Sequence, residues 1–411
     1  MSTLAILSLL FATAAVFGLV SVRWLRLPVT VGTMLLTVLV SAVLTIASAR
    51  VPVIHQWAAA LMQQIDFEKL ILHGMLPLLL FAGAFLLDIE QLAREKLAVG
   101  LLSVVGTAIC FLLVGALMHL SSGGRLPWME CLIFGALISP TDPIAVLEML
   151  RRVGVSRRIQ AQLAGDSLFN DGIAAVLFIT MLEVAHGRAP TPWHVAWLLV
   201  AKAGGAVIVG VVTAYLTSML MRMLDSYQID ILFTVSLAFG GYVLAEMLHL
   251  SAPLEAVVAG IALRVFNHPQ PENRIAHKEI DQFWSVIDEI QNCVLFVLLG
   301  LEVMAIPLNA AGTRAGVSAI VLVNVVRLAV VALLLVIVRL FRPAQKSSLF
   351  VLTWGGLRGG LSIALALSVP VGFGRSWILG ATYLVVVFSI VVQGGSMDWI
   401  LRTRKARPLA A

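Results

Sequence analysis

Long apolar stretches recur along almost the whole chain and are separated by short polar segments. A helix needs about 20 mostly apolar residues to cross a bilayer, because each residue adds about 1.5 Å along its axis. This pattern predicts an all-α, polytopic membrane protein with about 13 transmembrane helices. The predicted spans are residues 3–22, 28–48, 68–88, 97–120, 129–149, 161–184, 194–221, 227–248, 252–265, 284–304, 315–340, 347–368 and 375–397.

The composition agrees with a chain that lies mainly in lipid. Of its 411 residues, 60% are hydrophobic and 12% are charged, and the mean hydropathy is +1.00. The net charge of +6 comes from basic residues spread through loops, so we predict no nucleic-acid partner. The three cysteines fall in apolar spans without metal-ligand spacing, which argues against a disulfide framework or a zinc site.

The basic residues predict the orientation of the chain. With the N-terminus outside, the cytoplasmic loops and tail hold 19 Lys and Arg residues, whereas the opposite loops hold 6. No Lys or Arg precedes the first span, so we interpret that span as retained rather than cleaved. We therefore predict a multi-pass protein of a bacterial inner membrane, with a cytoplasmic C-terminus.

Two spans are interrupted at corresponding positions. Thirteen spans fit two inverted six-helix repeats joined by one linker span, and the fifth span of each repeat is broken. The interruptions are residues 139–143 (Ser-Pro-Thr-Asp-Pro) and 355–360 (Gly-Gly-Leu-Arg-Gly-Gly). Broken helices expose backbone groups that lipid cannot satisfy, which is typical of a transporter site. The alternative is a pair of packing kinks.

Span 6 carries the residues with the clearest chemistry. Ser167 and Asp171 are four residues apart and so share a helix face, and Asn170 lies next to Asp171. With an oxygen of Thr141, Ser167 and Asp171 form a predicted metal site for Na+ or K+. A proton and a cation compete for Asp171, so we predict electroneutral exchange, with Asn170 as part of the ion-binding and proton-exchanging set.

The other intramembrane charges predict a supporting network. Asp166 needs a cation, and Arg327 in span 11 is the best candidate; we expect their pair to hydrogen-bond Asn170 as well. Asp142 is expected to lie between the positive ends of two half-helices. Arg358 is expected either to neutralise carbonyl ends at its own break or to pair with Asp142.

These motifs resemble the NhaP/NHE branch of the monovalent cation/proton antiporters, often described as sodium/proton antiporters. The resemblance rests on the Thr-Asp-Pro break at 141–143, on Asn170-Asp171 and on residues 353–359 (Thr-Trp-Gly-Gly-Leu-Arg-Gly), and it spans nearly the whole chain. It implies an NhaA/NhaP-like antiporter fold and a homodimer in which a core bundle moves against an interface domain. The implied core is residues 97–186 and 315–397, the interface helices are 3–88 and 194–304, and 398–411 is a short basic tail.

The resemblance also assigns roles to individual residues. It implies that Asp171, Ser167 and Thr141 bind the ion, that Asp166 and Arg327 hold Asn170, and that Asp142 and Arg358 serve the crossed helices. The chain departs from the family where Ala82 replaces a glutamate that can contribute to the ion site. This departure favours a larger ion such as K+.

The predicted function is secondary active exchange of Na+, or Li+, for H+, in pH and sodium homeostasis. The alternatives are a K+/H+ antiporter, a sodium-coupled solute symporter and, least favoured, an intramembrane hydrolase that pairs Asp142 with Asp171. We predict no enzymatic activity and no cofactor beyond the transported ions. The expected partners are monovalent cations, protons, the lipid bilayer and a second copy of the chain.

Overall fold

Helices form nearly all of the described chain. The computed structural model describes residues 3–48, 69–187, 191–223, 226–267, 274–303, 310–341, 348–370 and 372–405. The helices are α1 Thr3–Val20, α2 Val29–Ser48, α3 Leu76–Phe85, α4 Ile89–Arg94, α5 Lys96–Gly100, α6 Thr107–Ser121, α7 Trp128–Ile138, α8 Ile144–Val153, α9 Arg157–Ala185, α10 Pro192–Met221, α11 Tyr227–Met247, α12 Ala252–Phe266, α13 Arg274–Val303, α14 Ala310–Phe341, α15 Ser348–Trp354, α16 Gly360–Leu367, α17 Arg375–Phe388 and α18 Gly395–Lys405. Wider π-helical turns are Ser21–Leu25, Leu70–Met75, Leu101–Gly106 and Ser389–Gly394.

The length and composition of these helices fit a membrane protein. Within the described ranges, seven helices are long and apolar enough to cross a bilayer, and three shorter apolar helices accompany them. The predicted all-α, polytopic class is confirmed. The count of thirteen spans stays a prediction.

Local sequence signals explain where several helices begin and end. Thr191 precedes α10, where its side-chain oxygen accepts a hydrogen bond from the backbone N–H of His194 and Pro192 occupies the first turn. Ser251 caps α12 in the same way. Gly154 ends α8 in the left-handed region, with φ of +74°.

One side of α10 is apolar and exposed, as expected of a surface that faces lipid. Trp193 is 80% exposed, Trp197 is 60% exposed and Ile208 is 66% exposed. Tryptophan is enriched where a membrane helix meets the headgroup region, and aliphatic residues are enriched at greater depth. This surface therefore marks the periphery of the bundle.

The interior contains an apolar cluster built by α3, α10, α11, α12 and α13. At its centre the indole of Trp284 is fully buried against the ring of Phe81, with ring centroids 4.8 Å apart. The Trp284 Nε1–H donates to Thr234 Oγ1 at 3.0 Å, so the polar edge of the indole is also satisfied. Apart from the first two residues of α10, all five helices fall within the predicted interface segments. The division into core and interface remains a prediction.

Both predicted helix breaks are present and they meet. The first lies between the end of α7 at Ile138 and the start of α8 at Ile144, and the second lies between Trp354 and Gly360. Asp142 and Leu357 form an isolated antiparallel bridge at the crossing. The fold therefore brings the two interruptions to one place, beside α9.

The contact between α12 and α3 depends on the absence of a side chain at Gly260. A Cβ added there lies 2.7 Å from Ala84 Cβ and 2.8 Å from the Phe81 carbonyl oxygen. We expect Gly260→Ala to lower the free energy of unfolding by about 1–3 kcal/mol, because the helices must separate. The apparent Tm in detergent measures this loss.

Gly240→Ala is the matched control. A Cβ at Gly240 meets nothing within 4 Å, and alanine favours a helix over glycine. We expect an unchanged or slightly higher Tm for this variant. Equal losses in the two variants would contradict the role of close packing at Gly260.

Candidate ion-binding site

The backbone of the first break is satisfied by the second break and by its own side chain. The Asp142 N–H donates to the Leu357 carbonyl oxygen at 2.8 Å. Asp142 Oδ1 accepts a hydrogen bond from the Ile144 N–H at 3.2 Å, at the start of α8. A carboxylate is favoured there because the helix N-terminus carries a partial positive charge. Asp142 is therefore part of the crossing itself.

Glycine at Gly359 permits the two breaks to approach this closely. A Cβ added there lies 2.5 Å from Asp142 Cβ and 2.8 Å from Asp142 Cγ. Real Cβ contacts essentially never reach such distances. The glycine-rich second break is thus a requirement of the crossing.

Arg358 satisfies carbonyl groups of both breaks. Its Nη1 donates to the Pro140 carbonyl oxygen at 3.2 Å and lies 3.5 Å from the Gly356 carbonyl oxygen. Its backbone N–H donates to Ser389 Oγ at 2.9 Å. Of the two predicted roles, neutralisation of carbonyl ends is the one observed, and the described residues show no Arg358–Asp142 ion pair.

Asp166 and Arg327 form the predicted intramembrane ion pair. Arg327 Nη2 contacts Asp166 Oδ2, and both residues are buried, with 0% exposure for Asp166 and 3% for Arg327. Arg327 Nη2 also lies 3.3 Å from the Leu352 carbonyl oxygen. The pair therefore links α9 to α14 and, through Leu352, to the first half of the second broken helix.

Asn170 has a different partner from the one predicted. Its Oδ1 accepts from the Thr141 N–H at 3.1 Å, and its Nδ2 donates to Thr141 Oγ1 at 2.8 Å. We expected Asn170 to bond the Asp166–Arg327 pair, and that expectation is wrong. Asn170 instead clamps the first break onto α9, because a side-chain amide matches one donor and one acceptor of the same residue.

Asp171 lies beside this clamp and has no described partner. Ser167 Oγ donates to the Thr141 carbonyl oxygen, so both residues predicted with Asp171 are already joined to each other. Asp171 is half-buried and lines a cavity of about 490 Å³, together with Thr141 and Ser167. In the described part of the chain, no hydrogen bond or ion pair engages its carboxylate. The structure thus brings the predicted ligands together around one uncommitted carboxylate.

The cavity is open where three of its lining residues are exposed. Arg151, Ser285 and Glu289 line it and have exposed side chains. Glu148, also in the lining, accepts from Thr30 Oγ1 at 3.0 Å. Asp171 therefore lines the same cavity as these exposed side chains.

Position 82 lies away from the cavity. Ala82 is fully buried in the apolar cluster around Trp284, whereas the following residue, Gly83, lines the cavity. The replacement of a family glutamate by Ala82 therefore gives no geometric support to a preference for K+.

Two other intramembrane charges have local partners. Lys202 Nζ lies 3.0 Å from Glu183 Oε1, which joins α10 to α9. Glu255 is fully buried and one of its carboxylate oxygens accepts from Thr213 Oγ1 at 3.2 Å. Both contacts join neighbouring helices and lie outside the cavity lining.

Sequence reasoning missed Asp288, which lines the cavity from α13. The signal was present as a polar stripe at helical spacing, formed by Ser285, Asp288 and Asn292 in a span that is otherwise apolar on that side. Because Asp288 is next to Glu289, which is exposed, the carboxylates of this segment look like groups at the membrane surface.

Comparisons with known proteins agree on one kind of protein. A family profile described as "Sodium/hydrogen exchanger, transmembrane" matches residues 11–403. The chain is 38% identical to the Na(+)/H(+) antiporter NhaP of Pseudomonas aeruginosa over 392 residues, which cover 93% of this chain and 92% of that protein. It is 32% identical to the Na(+)/H(+) antiporter NhaH of Halobacillus aidingensis, over 87% of this chain and 89% of the relative.

A solved structure shares the fold. The sodium proton antiporter MjNhaP1 from Methanocaldococcus jannaschii at pH 8 superposes with a TM-score of 0.74, covering 98% of this chain and 99% of that chain. The sequences are 18% identical in this alignment, so the likeness concerns the fold.

The Asp166–Arg327 pair gives a test of the network. We expect Arg327→Gln to lower the free energy of unfolding by about 3–5 kcal/mol, because it leaves the buried Asp166 carboxylate uncompensated. Adding Asp166→Asn removes that charge, so the double variant is expected to recover part of the loss. The apparent Tm in detergent measures both effects.

Arg152→Gln is the control, since Arg152 pairs with Glu148 at 3.3 Å on an exposed helix surface. An exposed pair of this kind contributes about 0.3–0.5 kcal/mol. A Tm for Arg327→Gln as high as that of Arg152→Gln would contradict the importance of the buried pair, as would a double variant less stable than both single variants.

Proposed function

The chain belongs to the sodium/hydrogen exchanger family, and we propose that it exchanges Na+ for H+ across the membrane at Asp171. The choice of residue rests on one observation: the half-buried Asp171 carboxylate has no partner among the described residues and lines an open cavity beside two crossed helix breaks. The choice of reaction rests on the relatives, which are Na(+)/H(+) antiporters.

Exchange follows from the cost of leaving the Asp171 carboxylate charged and alone. A half-buried carboxylate within a membrane needs either a proton or a cation to neutralise it. A proton on its oxygen removes the charge that holds Na+, and bound Na+ displaces the proton. Oxygen atoms of Ser167 and Thr141 lie in the same cavity wall and supply the hard ligands that an alkali cation prefers.

The other charges of the site stay constant through this cycle. Arg327 neutralises Asp166, and Arg358 is engaged by the carbonyl groups of the crossing. Arginine keeps its proton in proteins, so neither guanidinium transfers one. One proton therefore replaces one Na+, and the exchange is electroneutral.

The open end of the cavity indicates which side the site faces. Arg151 lines that end, and the distribution of basic residues assigns its loop to the cytoplasm. We therefore place the N-terminus outside and the C-terminus in the cytoplasm, in a bacterial inner membrane, with the site open inward. The corresponding physiological role is pH and sodium homeostasis, carried out by a homodimer.

Proton movement in vesicles tests this function. We expect the reconstituted protein, with a trapped pH dye, to move protons when Na+ or Li+ is added, and Asp171→Asn to abolish the response. Asp88→Asn is the matched control, because asparagine retains the side-chain oxygen that caps α4. No movement in the wild type with Na+, Li+ or K+ would contradict the proposal, and movement with K+ alone would replace Na+ by K+.

Electroneutrality is tested by imposing a membrane potential on the same vesicles with a lipophilic ion. The free energy of a cycle that moves one net charge changes by about 2.3 kcal/mol per 100 mV of membrane potential. The free energy of an electroneutral cycle does not depend on the potential. We expect the initial rate of Na+-driven proton movement to stay constant at potentials of either sign. A rate that rises with one sign and falls with the other would contradict one-for-one exchange.

A further inference from the structure

The cavity that leads to Asp171 is also lined by a carboxylate, that of Asp288, which no described cation neutralises. Asp288 lies on α13, is half-buried and lines the cavity one turn after the exposed Ser285. Such a carboxylate is disfavoured in a membrane protein unless a positive charge or a proton compensates it.

No described residue supplies an ion pair to Asp288. Asn292, one turn later, donates from Nδ2 to Asp288 Oδ1 at 3.2 Å and to the Asp288 carbonyl oxygen at 2.8 Å. By contrast, Glu148 of the same cavity is held by Thr30 at 3.0 Å and by Arg152 at 3.3 Å. The Asn292 amide orients the Asp288 carboxylate without neutralising it.

A second observation shows that the cavity wall is built for a polar occupant. Ser362, in the first turn of α16, lines the cavity and is 1% exposed. Its hydroxyl has no hydrogen-bond partner among the described residues. A buried hydroxyl without a partner is costly, so water or an ion in the cavity is expected to satisfy it.

We propose that Asp288 binds a hydrated monovalent cation, at a position that the ion occupies on its way between the open end of the cavity and Asp171. The cavity of about 490 Å³ far exceeds the roughly 30 Å³ that one water occupies, so the ion keeps much of its hydration shell. This inference rests on the proposed exchange at Asp171 and extends it with a second station on a different helix.

The station has a defined consequence for selectivity. A hydrated ion presents water rather than its own surface, so Na+, K+ and Li+ bind Asp288 with similar affinity. Selection among them takes place at Asp171, where the ion exchanges water for protein oxygens. Asp288 raises the local cation concentration beside that step.

Direct binding tests the station without transport. Full-length protein carrying Asp171→Asn, purified at alkaline pH, is expected to retain weak binding of radioactive Na+ that excess K+ competes away. Adding Asp288→Asn is expected to abolish this residual binding, whereas adding Glu289→Gln, which removes the same charge from the exposed neighbour, is expected to preserve it. Absence of residual binding in Asp171→Asn would overturn the proposal, as would equal loss in the two double variants.

Transport by the single variants gives a second, independent measurement. We expect Asp288→Asn to raise the KM for Na+ on the cytoplasmic side roughly fivefold while kcat is kept, and Glu289→Gln to change KM less than twofold. An unchanged KM in folded Asp288→Asn, or the same rise in Glu289→Gln, would overturn the proposal. Failure of the exchange function itself is distinguishable, because the wild type would then move no protons with any cation.

Discussion

The structure depends on how two interrupted helices satisfy each other's backbone inside a bilayer. Lipid offers no hydrogen bonds, so an open N–H or C=O at this depth has to find a partner in the protein. The Asp142 N–H donates to the Leu357 carbonyl oxygen, and Arg358 donates to the Pro140 carbonyl oxygen. Glycine is needed at Gly359 because the chains touch there. The proposed exchange site is the space beside this crossing, and Asp171 is the carboxylate that has no partner there among the described residues.

A large part of this arrangement could be predicted from the sequence, since unusual residues in a membrane span have few explanations. Proline and glycine runs located both breaks. The pair of Asp166 and Arg327 could be identified because a buried carboxylate needs a cation. Only three basic residues, Lys202, Arg327 and Arg358, lie away from the ends of the predicted spans. The same reasoning placed Ser167, Thr141 and Asp171 in one region, which the cavity lining confirms.

Contacts that depend on how one helix is rotated against another could not be predicted. Spacing within span 6 places Asn170 near Asp166. It does not show that the Asn170 amide bonds Thr141 of the first break rather than the Asp166–Arg327 pair. Similarly, nothing in residues 76–82 reveals that Ala82 faces an apolar cluster while Gly83 faces the cavity. Asp288 was overlooked because its importance depends on facing a cavity that several other helices enclose.

The long sequence separation across the crossing has a consequence for synthesis of the protein. Arg358 and Pro140 are 218 residues apart, and Arg327 and Asp166 are 161 residues apart. At the usual 5–20 residues per second, roughly ten to forty seconds pass between translation of the first break and translation of its partner. During that time the nascent first half holds an unpaired carboxylate and open backbone groups at membrane depth. The two halves of the site therefore become mutually satisfied only late in synthesis, so we expect a chain truncated before the second break to assemble poorly.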